Sequence, residues 1–159
     1  MNCEEKISKC EEINSDPDII INDSDGGKSK LRLKNSKRIK VRIIEVDNCV
    51  IEDTTRCDYV VEIPIDNIKV VIFVELKGKN VEHGIGQLEN TINHICFKNR
   101  YGSDIQKRAY VVGTKVNIPK TGRDNSRNKF RKKYNCLLII REYVEEDIEK
   151  MLGQLSNKD

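Results

Sequence analysis

Asp58, Glu75 and Lys77 bring two carboxylates and an amine together if the chain between them folds as a hairpin. Glu75 and Lys77 are two residues apart at the end of an apolar run, so in a strand both point to one face and Leu76 to the other. Counting outward from a turn centred on Asp66-Asn67 sets Asp58 across from Glu75, about 5 Å away at Cβ. Carboxylates this close repel each other unless a proton or a cation lies between them. A hard divalent ion, Mg²⁺ or Mn²⁺, takes oxygen ligands and keeps several waters. Asp58, Glu75 and the Leu76 carbonyl therefore make a sufficient protein donor set. Lys77 beside them would hold or help deprotonate an attacking water and offset charge on a phosphorane. The chemistry expected is metal-assisted hydrolysis of a phosphodiester.

These residues need a sheet to hold them. Lys69 to Leu76 is dominated by Val70, Val71, Ile72, Phe73 and Val74, as in a strand covered on both faces. The preceding strand is predicted over 57–63, stopping at Pro64, and an earlier one over 38–46, where Ile39, Val41 and Ile43 alternate with polar residues. Cys49-Val50-Ile51 extends that ribbon. Val81, Ile85, Leu88, Ile92 and Ile95 step by four and three and mark the apolar face of a helix over 81–96. Gln87 lies on its flank, about 100° to 120° from the centre of the stripe, and His83 and His94 lie on its polar face. Further strands are expected at 109–112 and 136–140, with helices at 124–134 and 144–155. This succession predicts one α/β domain, a mixed sheet with helices packed on it, over residues 28–159. Residues 1–27 form an acidic, tail-like segment with a short helix over 3–13 and a turn-rich end at Asn22–Gly27.

The chain has 159 residues, enough for one core, and its formal charge is only +3. The charge is unevenly placed: 28–42 carries +8 and 98–134 carries +10, whereas 1–27 and 43–66 each carry −6. If folding puts the two basic segments on one side, a polyanion can bind there. Lys79, Lys120, Arg123, Arg127, Lys129, Arg131, Lys132 and Lys133 are the residues expected to grip a phosphate backbone, with Phe130 and Tyr134 among them. Six cysteines show no zinc-knuckle spacing. With no signal peptide and no apolar run near 18 residues, a cytoplasmic protein with buried free thiols is expected, and no membrane role.

Cys57-Asp58-Tyr59-Val60-Val61, Val74-Glu75-Leu76-Lys77-Gly78 and Val81-Glu82-His83-Gly84-Ile85-Gly86-Gln87-Leu88, in that order, resemble the PD-(D/E)xK nuclease superfamily. The resemblance covers residues 40–140 and looks nearest to small stand-alone or resolvase-like bacterial members. It implies a restriction-endonuclease-like fold with an αβββαβ core, Mg²⁺ or Mn²⁺, and hydrolysis leaving a 5′-phosphate. Residue by residue it implies Asp58 and Glu75 as metal ligands, Lys77 as the catalytic lysine and Gln87 as a helper that orients water or phosphate. Cys57 stands where the family motif has proline. An additional acid from the first helix is open among Glu4, Glu5, Glu11 and Glu12.

The expected function is thus a metal-dependent nuclease acting on nucleic acid, DNA favoured over RNA, in defence, restriction, repair or junction processing. A duplex has two strands and each chain one site, hence the expectation of a homodimer. The alternatives are a module on the same fold that binds nucleic acid without cutting it, and an interaction subunit whose acidic N-terminal segment docks on a protein partner or masks its own basic face.

Overall fold

The computed structural model describes residues 1–23, 28–77, 80–113 and 118–156. A first helix, α1 (Cys3–Lys9), is capped by Asn2, whose side chain accepts the Glu5 peptide N–H. Nine strands follow among the described residues: β1 (Glu11–Asn14), β2 (Asp18–Asn22), β3 (Lys30–Lys34), β4 (Val41–Glu45), β5 (Tyr59–Ile63), β6 (Val70–Lys77), β7 (Gln106–Gly113), β8 (Cys136–Arg141) and β9 (Val144–Asp147). Helices α2 (Val81–Asn93) and α3 (Lys120–Tyr134) follow β6 and β7, and α4 (Ile148–Ser156) closes the described chain.

Six strands form one mixed sheet in the order β1-β4-β5-β6-β7-β8. Strands β4, β5 and β6 are an antiparallel meander. The β6–β7 and β7–β8 pairs are parallel, and each requires a crossover, which α2 and α3 supply. Residues 70–76 of β6 are buried throughout because strands flank it on both sides and a layer covers each face. On one face Val60, Phe73, Ala109 and Leu138 meet α2 through Val81, Ile85 and Leu88 and α3 through Phe130. On the other, Val61, Ile72, Tyr110 and Val112 meet a second sheet, ordered β2-β3-β9, and α4.

Several expectations are corrected. Residues 1–22 are not a tail: β1 is an edge strand of the large sheet, and β2 lies in the small one. The basic run 28–42 contains β3, whose Leu31 and Leu33 are buried between Lys30, Arg32 and Lys34. Four of its eight basic residues are paired with acids, Arg32 with Asp18, Lys34 with Glu145, Lys37 with Glu149 and Arg42 with Glu11 and Glu62. Val144–Asp147, expected as the first turn of a helix, pairs in parallel with β3, because Val144 fills the core that Leu31 and Leu33 line. Cys49-Val50-Ile51 contributes only an isolated bridge, Asp47 to Ile51. Ile95 is 82% exposed, since α2 ends at Asn93 and the chain turns away before the apolar period can continue.

The expected free thiols are also corrected. Cys3 is bonded to Cys96 and Cys10 to Cys49, which clips both ends of α1 to the domain, and only Cys57 and Cys136 remain as buried thiols. No helix among the described residues is long and apolar enough to cross a membrane.

Candidate active site

The antiparallel register between β5 and β6, which ends with Tyr59 opposite Val74, is the one the hairpin count gives. Asp58, one residue before β5, lies beside the end of β6 that carries Glu75. Alternation along β6 puts Glu75 on the same face as Val71 and Phe73, beneath α2. Glu75 is 1% exposed and Asp58 is half-buried. The Leu76 peptide N–H donates to Asp58 Oδ2 at 2.8 Å, and the Asp58 N–H donates to the Val74 carbonyl at 3.0 Å. The Asp58 carbonyl in turn accepts from Val46 at 2.9 Å.

Burial pushes the Asp58 carboxyl above its ordinary value. The Leu76 N–H and a hydrogen bond with the Glu75 carboxyl act in the opposite sense, while the charges of Asp23 and Asp47 push it up again. Two carboxyls in hydrogen-bonding contact must share a proton or hold a cation between them. The donor set is oxygen only, which suits a hard divalent ion that keeps part of its water shell. Among the described residues no group of three or more His, Cys, Asp and Glu converges as a metal cage, so the remaining positions of such an ion would fall to water, a backbone carbonyl or substrate.

A second buried acid lies on the same sheet face, at the far end of β5, and provides a contrast. Glu62 is fully buried, which alone would raise its pKa. Hydrogen bonds from Arg100, Tyr101 and Arg42 reverse that and hold the carboxyl below its usual range. Arg42 Nη1 and Arg100 Nε each lie 2.7 Å from it, and the Tyr101 hydroxyl 2.6 Å. Arg100 also bonds Glu4 of α1. One end of the face is therefore closed by protein cations. At the other, the Asp58 carboxyl is held by a backbone N–H and a second acid.

Helix α2 positions the chain that enters β5. The Thr91 hydroxyl accepts the Cys57 N–H at 2.8 Å, and Gln87 Nε2 donates to the Arg56 carbonyl at 3.0 Å. Gln87 and Thr91 are one turn apart on the flank of α2, so together they hold the two residues that precede Asp58. Arg56 extends the support, with Nε on Asp47 Oδ1 at 2.6 Å and a further bond to Asn48. Gln87 thus has its amide nitrogen engaged with backbone, while its Oε1 is buried without a protein hydrogen bond. Thr91 and Arg56 are not among the residues expected from sequence. A threonine bordering the apolar stripe next to Leu88 and Ile92 is the available signal for the first, and nothing local marks the second.

Lys77 is the last residue of β6, in register with Gly113, and its side chain, like Gly78 and Lys79, lies outside the described residues. The other expected phosphate-gripping residues lie on α3, which returns from the end of β7 to the start of β8 and spans about 22 Å. Lys120 and Arg123 therefore sit toward the sheet end that holds Asp58 and Glu75, and Arg131, Lys132 and Lys133 toward the opposite end. Lys129 is turned to Glu89 of α2 at 3.1 Å, and Arg127 to Asp124 at 3.6 Å. His83 is exposed, as expected, and His94 caps the end of α2.

Comparison of this chain with family models, with curated proteins and with solved structures finds no match in any of the three.

Proposed function

We propose that this protein is a metal-dependent nuclease of the restriction-endonuclease-like type, hydrolysing phosphodiester bonds in nucleic acid, DNA before RNA. The observation that carries the reading is the apposition of Asp58 and Glu75 at the end of the central strand, with the Asp58 carboxyl oriented by the Leu76 N–H. The order three-strand meander, crossover helix, parallel strand in β4 to β6, α2 and β7, with β1, β2 and β3 inserted between α1 and the meander, supports it, because the PD-(D/E)xK resemblance implies an αβββαβ core.

In this reading Asp58 and Glu75, with the Leu76 carbonyl, would hold Mg²⁺ or Mn²⁺, and the ion would supply Lewis-acid polarisation of the phosphoryl group. Asp58 is pre-set for this by its bond to Leu76, so little rearrangement is needed on loading. Glu75 lies beneath α2, so its carboxylate would act on the ion from a site shielded from bulk solvent. Lys77 takes a proton from that water or holds it in line and offsets charge on the phosphorane. Gln87 contributes through backbone, by fixing Arg56 ahead of Asp58, and its free Oε1 is one acceptor available to a water. Lys120 and Arg123 hold the substrate backbone near the reacting group. Lys79, Arg127, Lys129, Arg131, Lys132 and Lys133 supply sequence-independent attraction. A homodimer would present one site to each strand of a duplex. A nuclease working in a reducing cytoplasm would carry Cys3, Cys10, Cys49 and Cys96 as thiols, with α1 held by Glu4 and its apolar face alone.

The test is incubation of the purified protein with Mg²⁺ or Mn²⁺ and labelled linear, nicked, branched, single-stranded and RNA substrates. Cleavage that stops in Asp58→Ala, Glu75→Ala and Lys77→Ala proteins that stay folded is expected. Absence of cleavage from every substrate with either ion would overturn the proposal. Tight, salt-sensitive binding that ignores loss of both acids would replace it with the non-cutting module.

A further inference from the structure

A polar cavity of about 470 Å³ opens where β7 and β8 begin, at the end of the sheet away from Asp58 and Glu75. Its wall includes Gln106, Lys107, Arg108, Arg131, Asn135 and Gln154. Arg108 is the unusual member, a guanidinium only 5% exposed. Its Nε donates to Gln106 Oε1 at 3.1 Å, and its two terminal nitrogens donate to the Tyr110 hydroxyl and to Gln154 Oε1, each at 3.2 Å. All three acceptors are neutral, and its ion-pair partner among the described residues, Glu146, stands 3.9 Å away. A buried charge needs an opposite charge close by or it is costly. Here neutral acceptors orient the guanidinium, and its charge is offset only at the length of the Glu146 pair, with Glu145 and Asp147 lining an adjoining cavity on that side.

Lys107 and Arg131 add two more positive charges to the lining, from the opposite sheet face, where the cavity wraps the start of β7, against Asp104. Arg131 also lines a neighbouring cavity of about 340 Å³ with Arg127 and Asn128, where Asp124 pairs with Arg127 and leaves Arg131 as the remaining cation among the described residues of that lining. A fork of N–H groups backed by a lysine and a second arginine matches the tetrahedral oxygens of phosphate, which accept bidentate bonds.

We infer that this cavity binds a phosphate group, with Arg108 directing it from within the sheet and Lys107 and Arg131 supplying charge from the rim. The group is either free inorganic phosphate or a phosphate of a nucleic-acid strand laid along α3. The inference does not depend on hydrolysis at Asp58 and Glu75.

The experiment is calorimetric titration of the full chain with inorganic phosphate, and separately with a short oligonucleotide, in wild type, Arg131→Gln, Lys107→Gln, Lys133→Gln and Asp58→Asn proteins. Lys133 is exposed on the same helix and does not line the cavity. Loss of about tenfold in phosphate affinity in each of the first two variants is expected, the scale of one charge-assisted hydrogen bond. Lys133→Gln and Asp58→Asn leave phosphate binding unchanged. Failure of inorganic phosphate to bind, with oligonucleotide affinity falling in the same two variants and more than in Lys133→Gln, assigns the site to a strand phosphate. No binding of either probe overturns the inference, as does an equal loss in Lys133→Gln and Arg131→Gln. A protein that binds phosphate here and cuts nothing defeats the nuclease proposal alone.

Discussion

The Leu76 peptide N–H reaches Asp58 Oδ2 at 2.8 Å, so the strand that carries Glu75 also sets the orientation of the carboxyl opposite it. Burial holds Asp58 above its ordinary pKa. Below the ordinary carboxylate range both folded and unfolded chains carry the proton, and the penalty is absent. As pH rises through that range the unfolded chain ionises first, so stability falls until the raised folded value is passed. Asp58→Asn keeps an acceptor for Leu76 and removes the penalty. The metal-free variant is expected to melt above wild type at neutral pH, with the difference vanishing in acid. In the same variant, Mg²⁺-dependent cleavage falls by about two to three orders of magnitude, the scale of one preorganised charged group. Mg²⁺ raises the melting temperature of wild type and not of the variant. Calorimetry with and without EDTA, beside a gel assay, checks all three, and a variant that cuts like wild type contradicts them.

Glu62 behaves in the opposite sense. Its pKa is held down by Arg100, Tyr101 and Arg42, so its contribution is present above the ordinary carboxylate range and is lost as pH falls through the depressed folded value. Glu62→Gln leaves two half-buried guanidinium groups facing a neutral amide and is expected to cost about 3–5 kcal/mol. Urea denaturation at neutral and acidic pH measures this, and the gap between variant and wild type should narrow in acid.

Thr91→Val keeps the shape of the side chain and removes the acceptor for the buried Cys57 N–H. The cost is expected at about 1–3 kcal/mol, with faster amide exchange at Cys57 and Asp58. Hydrogen exchange followed by NMR separates this local loosening from a uniform loss of stability, which would contradict the positioning role given to α2.

A chain cross-linked over 39 residues by Cys10–Cys49 is stabilised by about 4 kcal/mol, and one cross-linked over 93 by Cys3–Cys96 by about 5 kcal/mol, in the chain-entropy description. The two loops overlap, so the effects do not add. Dithiothreitol is expected to lower the melting temperature of wild type and to leave a protein with all four cysteines replaced by serine unchanged. Thiol titration under denaturing conditions should find two free groups before reduction and six after.

The parts legible in the sequence were those carried by period and local counting. The run Val70 to Val74 could only be an inner strand, the steps from Val81 to Ile92 only a helix face, and a short turn fixed the register that puts Asp58 against Glu75. What escaped has long-range causes. Leu31 and Leu33 in β3 were hidden by the lysines and arginines between them, since charge is visible in a sequence and its partners on Asp18, Glu145 and Glu149 are not. Val144 opens a strand because β3 is there to pair with it, although Val144–Leu155 reads as an amphipathic helix. The cysteine pairs join residues 39 and 93 apart, which no spacing rule identifies. The ties from Thr91 and Gln87 to the chain ahead of β5 belong to the same class, visible only once α2 lies on the sheet.

The Cys3–Cys96 bond has a topological consequence. Asp58, Glu75, Lys77 and Gln87 all fall inside the covalent ring it closes, whereas β7, α3 and β8 fall outside. An oxidised chain that has lost its fold still confines the two acids and their helix to one closed circle, while the strands that complete the sheet swing free. Reassembly of the hairpin then starts from a smaller search, because the ends of the segment are already joined. Oxidation thus lowers the closure entropy of the half that carries the acids and leaves that of the other half unchanged.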